Sequence, residues 1–283
     1  MITTDEGTLR VSIQGYAGAF HEAAARAHFA DRKVVTVPGH TFADVVRQVE
    51  NGESDLALMA IENTLAGSLM ANYDLLHRSK LHITGEVYLR IRLNLMALPS
   101  VRIEELRTVH SHPIALLQCR EFFRSYPRIR VVEDVDTALS AREVFESGDR
   151  SRGAVASSLA AELYGLEILA RGIETNKLNH TRFLILERDR SELSTEAGNK
   201  ISMSFSTSND SGSLHHVLSV LAAYRINLSK IQSAPIIGRP WQYRFFVDFV
   251  LEGHVTLQQA LDAIRPLVID LHVQGVYQEG QKP

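Results

Sequence analysis

Apolar residues recur in two rhythms along this chain, and the changes of rhythm divide it. As far as residue 190, short apolar runs stand at 9–14, 33–37, 56–61, 106–110, 130–133, 153–156 and 182–187. Between them lie stretches at 18–29, 42–50, 113–123 and 136–146 where apolar residues return every three or four positions. The runs predict strands and the stretches predict helices. The run 56–61, Leu-Ala-Leu-Met-Ala-Ile, has no polar interruption, the mark of a strand buried on both faces. Thr41 before the second helix, Asp44 at its third position and Gly52 beyond its end form a start-and-stop pair of signals. Strands alternating with helices predict a mainly parallel α/β sheet covered by helices.

Residues 189–199 are polar and aperiodic, and a linker is expected at 191–199. Beyond it a strand is predicted at 201–207. Leu214, Val217, Leu218 and Leu221 then follow the spacing of an amphipathic helix. Strands at 226–233 and 241–251 are joined through a turn holding Pro235, Gly238 and Pro240. Thr256 can cap a second helix carrying Leu257, Ala260, Leu261 and Ile264, and 268–277 supplies a last strand. The order βαββαβ predicts a ferredoxin-like second domain.

Composition acts mostly by exclusion. A length of 283 residues suggests about two domains. Net charge is −3 and like charges do not run together, which argues against a nucleic-acid surface. No apolar stretch reaches the roughly 18 residues that a membrane span needs. The first residues, Met1 to Glu6, lack the basic and apolar regions of a secretory signal. Cys119 is the only cysteine, so no disulfide forms within the chain, and a cytoplasmic protein is expected.

Several motifs fail on inspection. His21-Glu22 begins a zinc signature, but Ala25 stands where the second histidine belongs. His110-Ser111-His112 and His215-His216 lack spaced acidic or thiol partners. Gly15-Tyr16-Ala17-Gly18 is not the dinucleotide fingerprint, and neither a P-loop nor a nucleophile elbow occurs. Cys119 shares an apolar helical face with Ala115 and Phe122 and reads as core. Neither a metal nor a cofactor is expected.

What remains is a set of polar turns where strands give way to helices: 15–20, Glu62 to Ser68, and Ser111-His112-Pro113. Helix starts carry unpaired N–H groups and partial positive charge, so such turns around one crevice suit an anion. Taken singly, Thr64 and Ser111 read as caps ahead of ligand contacts. A fourth cluster, Asn179-His180-Thr181-Arg182-Phe183, places a guanidinium able to grip a carboxylate beside a hydroxyl.

That last cluster resembles the N-x-T-R-F signature of prephenate dehydratases. Glu62-Asn63-Thr64-Leu65-Ala66-Gly67-Ser68 is similar to their E-N-S-x-x-G-S segment, with threonine keeping the hydroxyl. Gly85-Glu86, Ser111-His112-Pro113 with Gln118, and Tyr164-Gly165-Leu166 follow in the family's order. Gly212-Ser213-Leu214 and the stretch from Ile226 to Ser233 resemble the ACT regulatory domain. Tyr16 and Ala19 replace the common Pro and Thr, and Gln232-Ser233-Ala234-Pro235 replaces E-S-R-P, which bears on regulation.

The resemblance implies a two-lobed α/β dehydratase domain, like type II periplasmic binding proteins, at 9–190. Lobe one would hold 9–85 and 175–190, lobe two 86–174, and a ferredoxin-like ACT domain 200–278. It implies the monofunctional form, converting prephenate to phenylpyruvate without a cofactor. Thr181 would assist departure of the hydroxyl. Asn63, Thr64, Gly67, Ser68, Ser111, His112, Gln118, Asn179, Arg182 and Phe183 would bind substrate. Glu86, Glu62 or His112 would supply the proton. Asn209, Asp210, Ser211, Gly212, Ser213 and Leu214, with Gln232 and Ser233, would bind L-phenylalanine in a homodimer or homotetramer joined through ACT domains. Arogenate dehydratase and a non-catalytic amino-acid sensor are the competing readings.

Overall fold

The computed structural model describes residues 7–188 and 198–282. The first six residues and most of the expected linker, 191–197, lie outside the described residues. Chain contacts divide the molecule into two compact units, one of 1–67 with 88–183 and one of 68–87 with 184–282.

The chain as far as residue 188 builds two sheets. Its early elements are β1 (Thr8–Gln14), α1 (Phe20–His28), β2 (Lys33–Gly39), α2 (Phe42–Glu50), β3 (Leu56–Asn63) and the short β4 (Gly67–Ser68). Then come α3 (Met70–Arg78), β5 (His82–Arg90), β6 (Asn94–Ala97), β7 (Thr108–Ser111), α4 (Pro113–Gln118), α5 (Arg120–Arg124) and β8 (Arg130–Glu133). The run closes with α6 (Thr137–Ser147), β9 (Arg152–Ala156), α7 (Ser158–Leu163), β10 (Glu167–Ala170) and β11 (His180–Glu187). Strand order is β2-β1-β3-β11-β5 in one sheet and β10-β6-β9-β7-β8 in the other; the chain of β5 and β11 runs on into the second unit.

β1 is parallel to β2 and β3, and β7 is parallel to β8 and β9. The pattern omitted β6 and β10, which pair antiparallel within the second sheet. Each has only four residues, too few to show a period. The expected cap is present: Thr41 accepts from the Asp44 amide while the Asp44 carboxylate accepts from the Thr41 amide. The helix expected across 113–123 is broken at Cys119, whose ψ of 8° leaves the helical range. Burial pushes its thiol up to about 12, so the buried cysteine is inert.

The second unit contains β12 (Lys200–Ser206), α8 (Ser213–Ala223), β13 (Leu228–Pro235), β14 (Tyr243–Val250), α9 (Leu257–Ile264) and β15 (Ile269–Tyr277). Its sheet order, β13-β14-β12-β15, is antiparallel throughout, as a ferredoxin-like chain requires. Ile201, Met203, Phe205, Val247 and Phe249 meet Val217, Leu221, Leu257 and Ile264 in one core.

Strand alternation turns Ser202, Ser204, Phe246 and Asp248 to the opposite face, yet these too are buried. The cover there is α3. Tyr73 packs on Phe246 with ring centroids 4.9 Å apart, and His77 Nδ1 lies 3.2 Å from Ser204 Oγ. Gly275 allows the close approach of β5, since a Cβ there would run into the Ile83 carbonyl oxygen. Residues 68–85, expected in lobe one, therefore group with the C-terminal sheet.

Lys200 Nζ lies 2.7 and 2.9 Å from the two Glu86 oxygens, with both side chains almost wholly excluded from solvent. Removing one member of such a pair leaves an uncompensated charge. Lys200→Met should therefore cost about 3–5 kcal/mol in urea unfolding. A loss well under that range would show that water reaches the pair.

Candidate functional site

β3 ends at Asn63 and β11 begins at His180, and these neighbouring strand ends carry most of the expected site. Asn63 Nδ2 donates to Asn179 Oδ1 at 2.8 Å, to Thr181 Oγ1 at 3.0 Å and to the His180 carbonyl at 3.2 Å. Its Oδ1 accepts from the amides of Leu65 and Ala66, both at 2.9 Å, and so shapes the turn that follows. Thr64 Oγ1 donates to the Leu178 carbonyl at 2.9 Å and accepts from the His180 amide at 3.0 Å. Asn179, fully buried, passes the network on by donating to Gln118 Oε1 at 2.9 Å at the end of α4.

Asn63, Thr64, Gln118, Asn179 and Thr181 thus form one hydrogen-bonded system. Thr181 accepts from Asn63, so its own O–H is left to donate. At 8 % exposure Thr181 stands at the edge of this system. Phe183, on the same face of β11, lies under it against His21, with ring centroids 5.0 Å apart.

Other expected residues stand elsewhere. Arg182 is buried, but strand alternation turns it to the face opposite Thr181 and Phe183. Ser111 Oγ donates to the Val155 carbonyl at 2.6 Å inside the second sheet. His112 caps α4 through Nδ1 and faces a separate cavity of about 580 Å³ with Glu133, Asp134 and Glu143. Ser68 Oγ accepts from Lys230 Nζ at 3.0 Å. Gly67, at φ +80°, has open space around it. Glu62 is half-buried at the end of β3.

Glu86, expected as a proton donor, is corrected by its surroundings. Both oxygens accept from Lys200, and Oε1 also accepts from the Gly280 amide at 2.9 Å. Both oxygens are therefore engaged within the C-terminal unit.

At the three turns expected to offer free N–H groups, some of those amides are already taken. The Gly18 amide donates to Glu22 Oε2 at 2.8 Å, Ile114 to His112, and Leu65 and Ala66 to Asn63. The first turn instead joins the two sheets' layers. Ser157 Oγ donates to the Gly18 carbonyl at 2.6 Å, and a Cβ on Gly18 would meet Ala160 Cα at 2.8 Å.

Two residues of interest escaped sequence reasoning. Asp136 caps α6, and burial raises its pKa; a Cβ on Gly15 would lie 3.0 Å from its Oδ2. His21 sits between Phe42 and Phe183, and its buried Nε2 has no hydrogen-bond partner. The only signal for His21 was the failed zinc motif. Among the described residues no three His, Cys, Asp or Glu side chains gather as a metal site.

In the second unit a cavity of about 210 Å³ is lined by Asn209, Asp210, Gly212, Ser213 and Leu214 at the start of α8, with Trp241 opposite. Ser211, Gln232 and Ser233 are not among its lining residues. Gly212 adopts φ +86°, a conformation costly for other residues.

A family model described as prephenate dehydratase matches residues 11–191. The chain belongs to the prephenate dehydratase family. It is 39 % identical over 279 residues to arogenate dehydratase/prephenate dehydratase 2, chloroplastic, of Arabidopsis thaliana, covering 95 % of this chain and 72 % of that one. The prephenate dehydratase of Arthrobacter aurescens, solved in complex with L-Phe, superposes with a TM-score of 0.84 at 26 % identity, covering 95 % of this chain and 90 % of the other. GqqA, described as a novel type of quorum quenching acylase, gives a TM-score of 0.85 at 32 % identity over 95 % of this chain and 98 % of the other.

Burial of the imidazole lowers the His21 pKa to about 4. The unfolded chain then binds the extra proton between roughly pH 6.5 and 4, so this group's contribution to stability falls as pH drops through that window. NMR titration should show His21 neutral down to about pH 4. An ordinary imidazole midpoint would place the ring in water.

Proposed function

We infer that this chain catalyses the decarboxylating dehydration of prephenate to phenylpyruvate. The observation that carries the reading is the hydrogen bond from Asn63 to Thr181 Oγ1, which reserves the threonine proton for a substrate acceptor. Prephenate loses its ring carboxylate as carbon dioxide while the electron pair of that bond enters the ring and expels the para hydroxyl. The departing oxygen takes up a proton and leaves as water. Aromatisation drives the step, so the reaction itself calls for no electron sink. A threonine hydroxyl is a weak acid, so Thr181 stabilises the leaving oxygen by donating a hydrogen bond. Arg182, on the other face of β11, is assigned to the architecture.

The Arabidopsis relative carries both arogenate and prephenate dehydratase in its name, which favours arogenate as a second substrate to test. An acylase reading is weaker. The Thr181 hydroxyl accepts from an amide, and among the described residues no histidine or carboxylate hydrogen-bonds it to activate a nucleophile.

The C-terminal cavity, of a size for one amino acid, supports L-phenylalanine as an inhibitor held at the start of α8. With this go a cytoplasmic setting and a homodimer or homotetramer joined through the C-terminal modules.

Thr181→Ala should lower turnover of prephenate by roughly 10²–10⁴-fold with the fold intact, and Thr181→Ser should keep more activity. Near wild-type turnover in the alanine variant would end the assignment. Parallel assays with arogenate rank the two substrates. L-phenylalanine should bind the intact protein by calorimetry and reduce activity, with light scattering reporting the assembled species. Absence of binding at millimolar ligand would remove the regulatory reading.

A further inference from the structure

Asp136 holds a carboxylate oxygen that the fold leaves over. The residue follows β8 and caps α6, where its Oδ1 accepts from the amides of Ala138 and Leu139 at 2.8 and 2.9 Å. Oδ2 faces the turn after β1 instead, and a Cβ on Gly15 would lie 3.0 Å from it. Glycine leaves that oxygen room. The half-buried carboxyl has its pKa raised by burial, and what favours its charge is the two amides and His112. Among the described residues no lysine or arginine pairs with it.

Two sheet edges place this oxygen. β1 runs parallel to β3, so the Gly15 turn and the Asn63 turn leave the same edge of the first sheet. From the Gly15 turn, α1 carries His21 on to Phe183, two residues along β11 from Thr181. β7 runs parallel to β8, so His112 and Asp136 likewise leave one edge of the second sheet. The two edges meet at Asp136 and Gly15, and again where Gln118 accepts from Asn179 at 2.9 Å. Between His112 and Gln118 runs α4, a helix of six residues, about 9 Å long. One crevice therefore has Thr181 towards one end and Asp136 towards the other.

Thr181 takes the ring hydroxyl of the substrate. The ring carbon para to that hydroxyl bears the side chain, which then points towards Asp136. Prephenate ends there in a keto acid and carries two carboxylates, so a third carboxylate beside them repels it. Arogenate bears an ammonium in place of the keto oxygen. A half-buried carboxylate with no cation of its own suits that ammonium. Resting on the dehydratase reading, we propose that Asp136 is a specificity-determining residue: its Oδ2 accepts from the ammonium of an α-amino acid substrate and favours arogenate over prephenate.

The cap alone asks only for a side-chain acceptor, which asparagine and serine also supply. The test compares wild type, Asp136→Asn and Asp136→Ser as full chains, with thermal unfolding to check that the cap holds. In each, kcat/KM is read on arogenate and on prephenate. Wild type should prefer arogenate. Both variants should lose roughly 10–10²-fold in kcat/KM on arogenate, the size expected for one hydrogen bond to a charged group. The loss should fall mainly on KM, and kcat/KM on prephenate should rise as the repulsion is relieved.

A ratio between the two substrates that stays at the wild-type value, whether both fall together or neither moves, would overturn the proposal. So would a wild type that prefers prephenate, a result that needs no variant to fold. If wild type turns over neither compound, the dehydratase reading itself fails; turnover with the opposite preference fails only the assignment of Asp136.

Discussion

Asn63 joins the end of one central strand to the start of its neighbour through a single side-chain amide. Its nitrogen serves Asn179, His180 and Thr181, and its oxygen shapes the turn through Leu65 and Ala66. No other side chain of similar size offers donors and an acceptor in that arrangement. An aspartate would lose the donors, and a leucine would leave the buried Asn179 oxygen unsatisfied, at a cost of roughly 1–3 kcal/mol. The direction of the Thr181 proton, and with it the chemistry assigned to this family member, depends on this amide. Thr64 reinforces the joint, because its hydroxyl bridges the Leu178 carbonyl and the His180 amide. Either serine or threonine satisfies that requirement, which explains why the departure from E-N-S at this position costs nothing visible.

A second constraint is the buried polar face of the C-terminal sheet. Ser202 bonds Asp248 at 2.6 Å and lies 2.7 Å from the Tyr277 hydroxyl, so its polar groups are satisfied within the sheet. Helix α3 and strand β5 complete the cover through Tyr73, His77 and the Lys200–Glu86 pair. A helix inside the segment that the family model matches is in this way physically part of the C-terminal unit.

Much of this was legible in the residues themselves. The period of the apolar positions marked β1, β2, β3, β12, α2, α8 and α9 close to their observed limits, because each is long enough to show its rhythm. Thr41 and Thr256 announce their helices through contacts reaching only three residues. Asn63, Thr64, Gln118, Asn179 and Thr181 were picked out together by family resemblance, and they come together in the fold.

Tertiary structure decided what depends on contacts distant in sequence. Alternation places Ser202 and Ser204 on one side of β12 but does not record what covers that side. Glu86 reads as an acid until Lys200, 114 positions away, is found on its oxygens. Ser111 and the Gly18 amide read as ligand donors until Val155 and Glu22 are seen to take them. Arg182 stands beside Thr181 in the sequence and across the sheet from it in space, because a strand turns successive side chains to opposite faces. Local periodicity and capping are written within a few residues and survive as text; partner, cover and the direction of a proton are set by chain segments that meet only after folding.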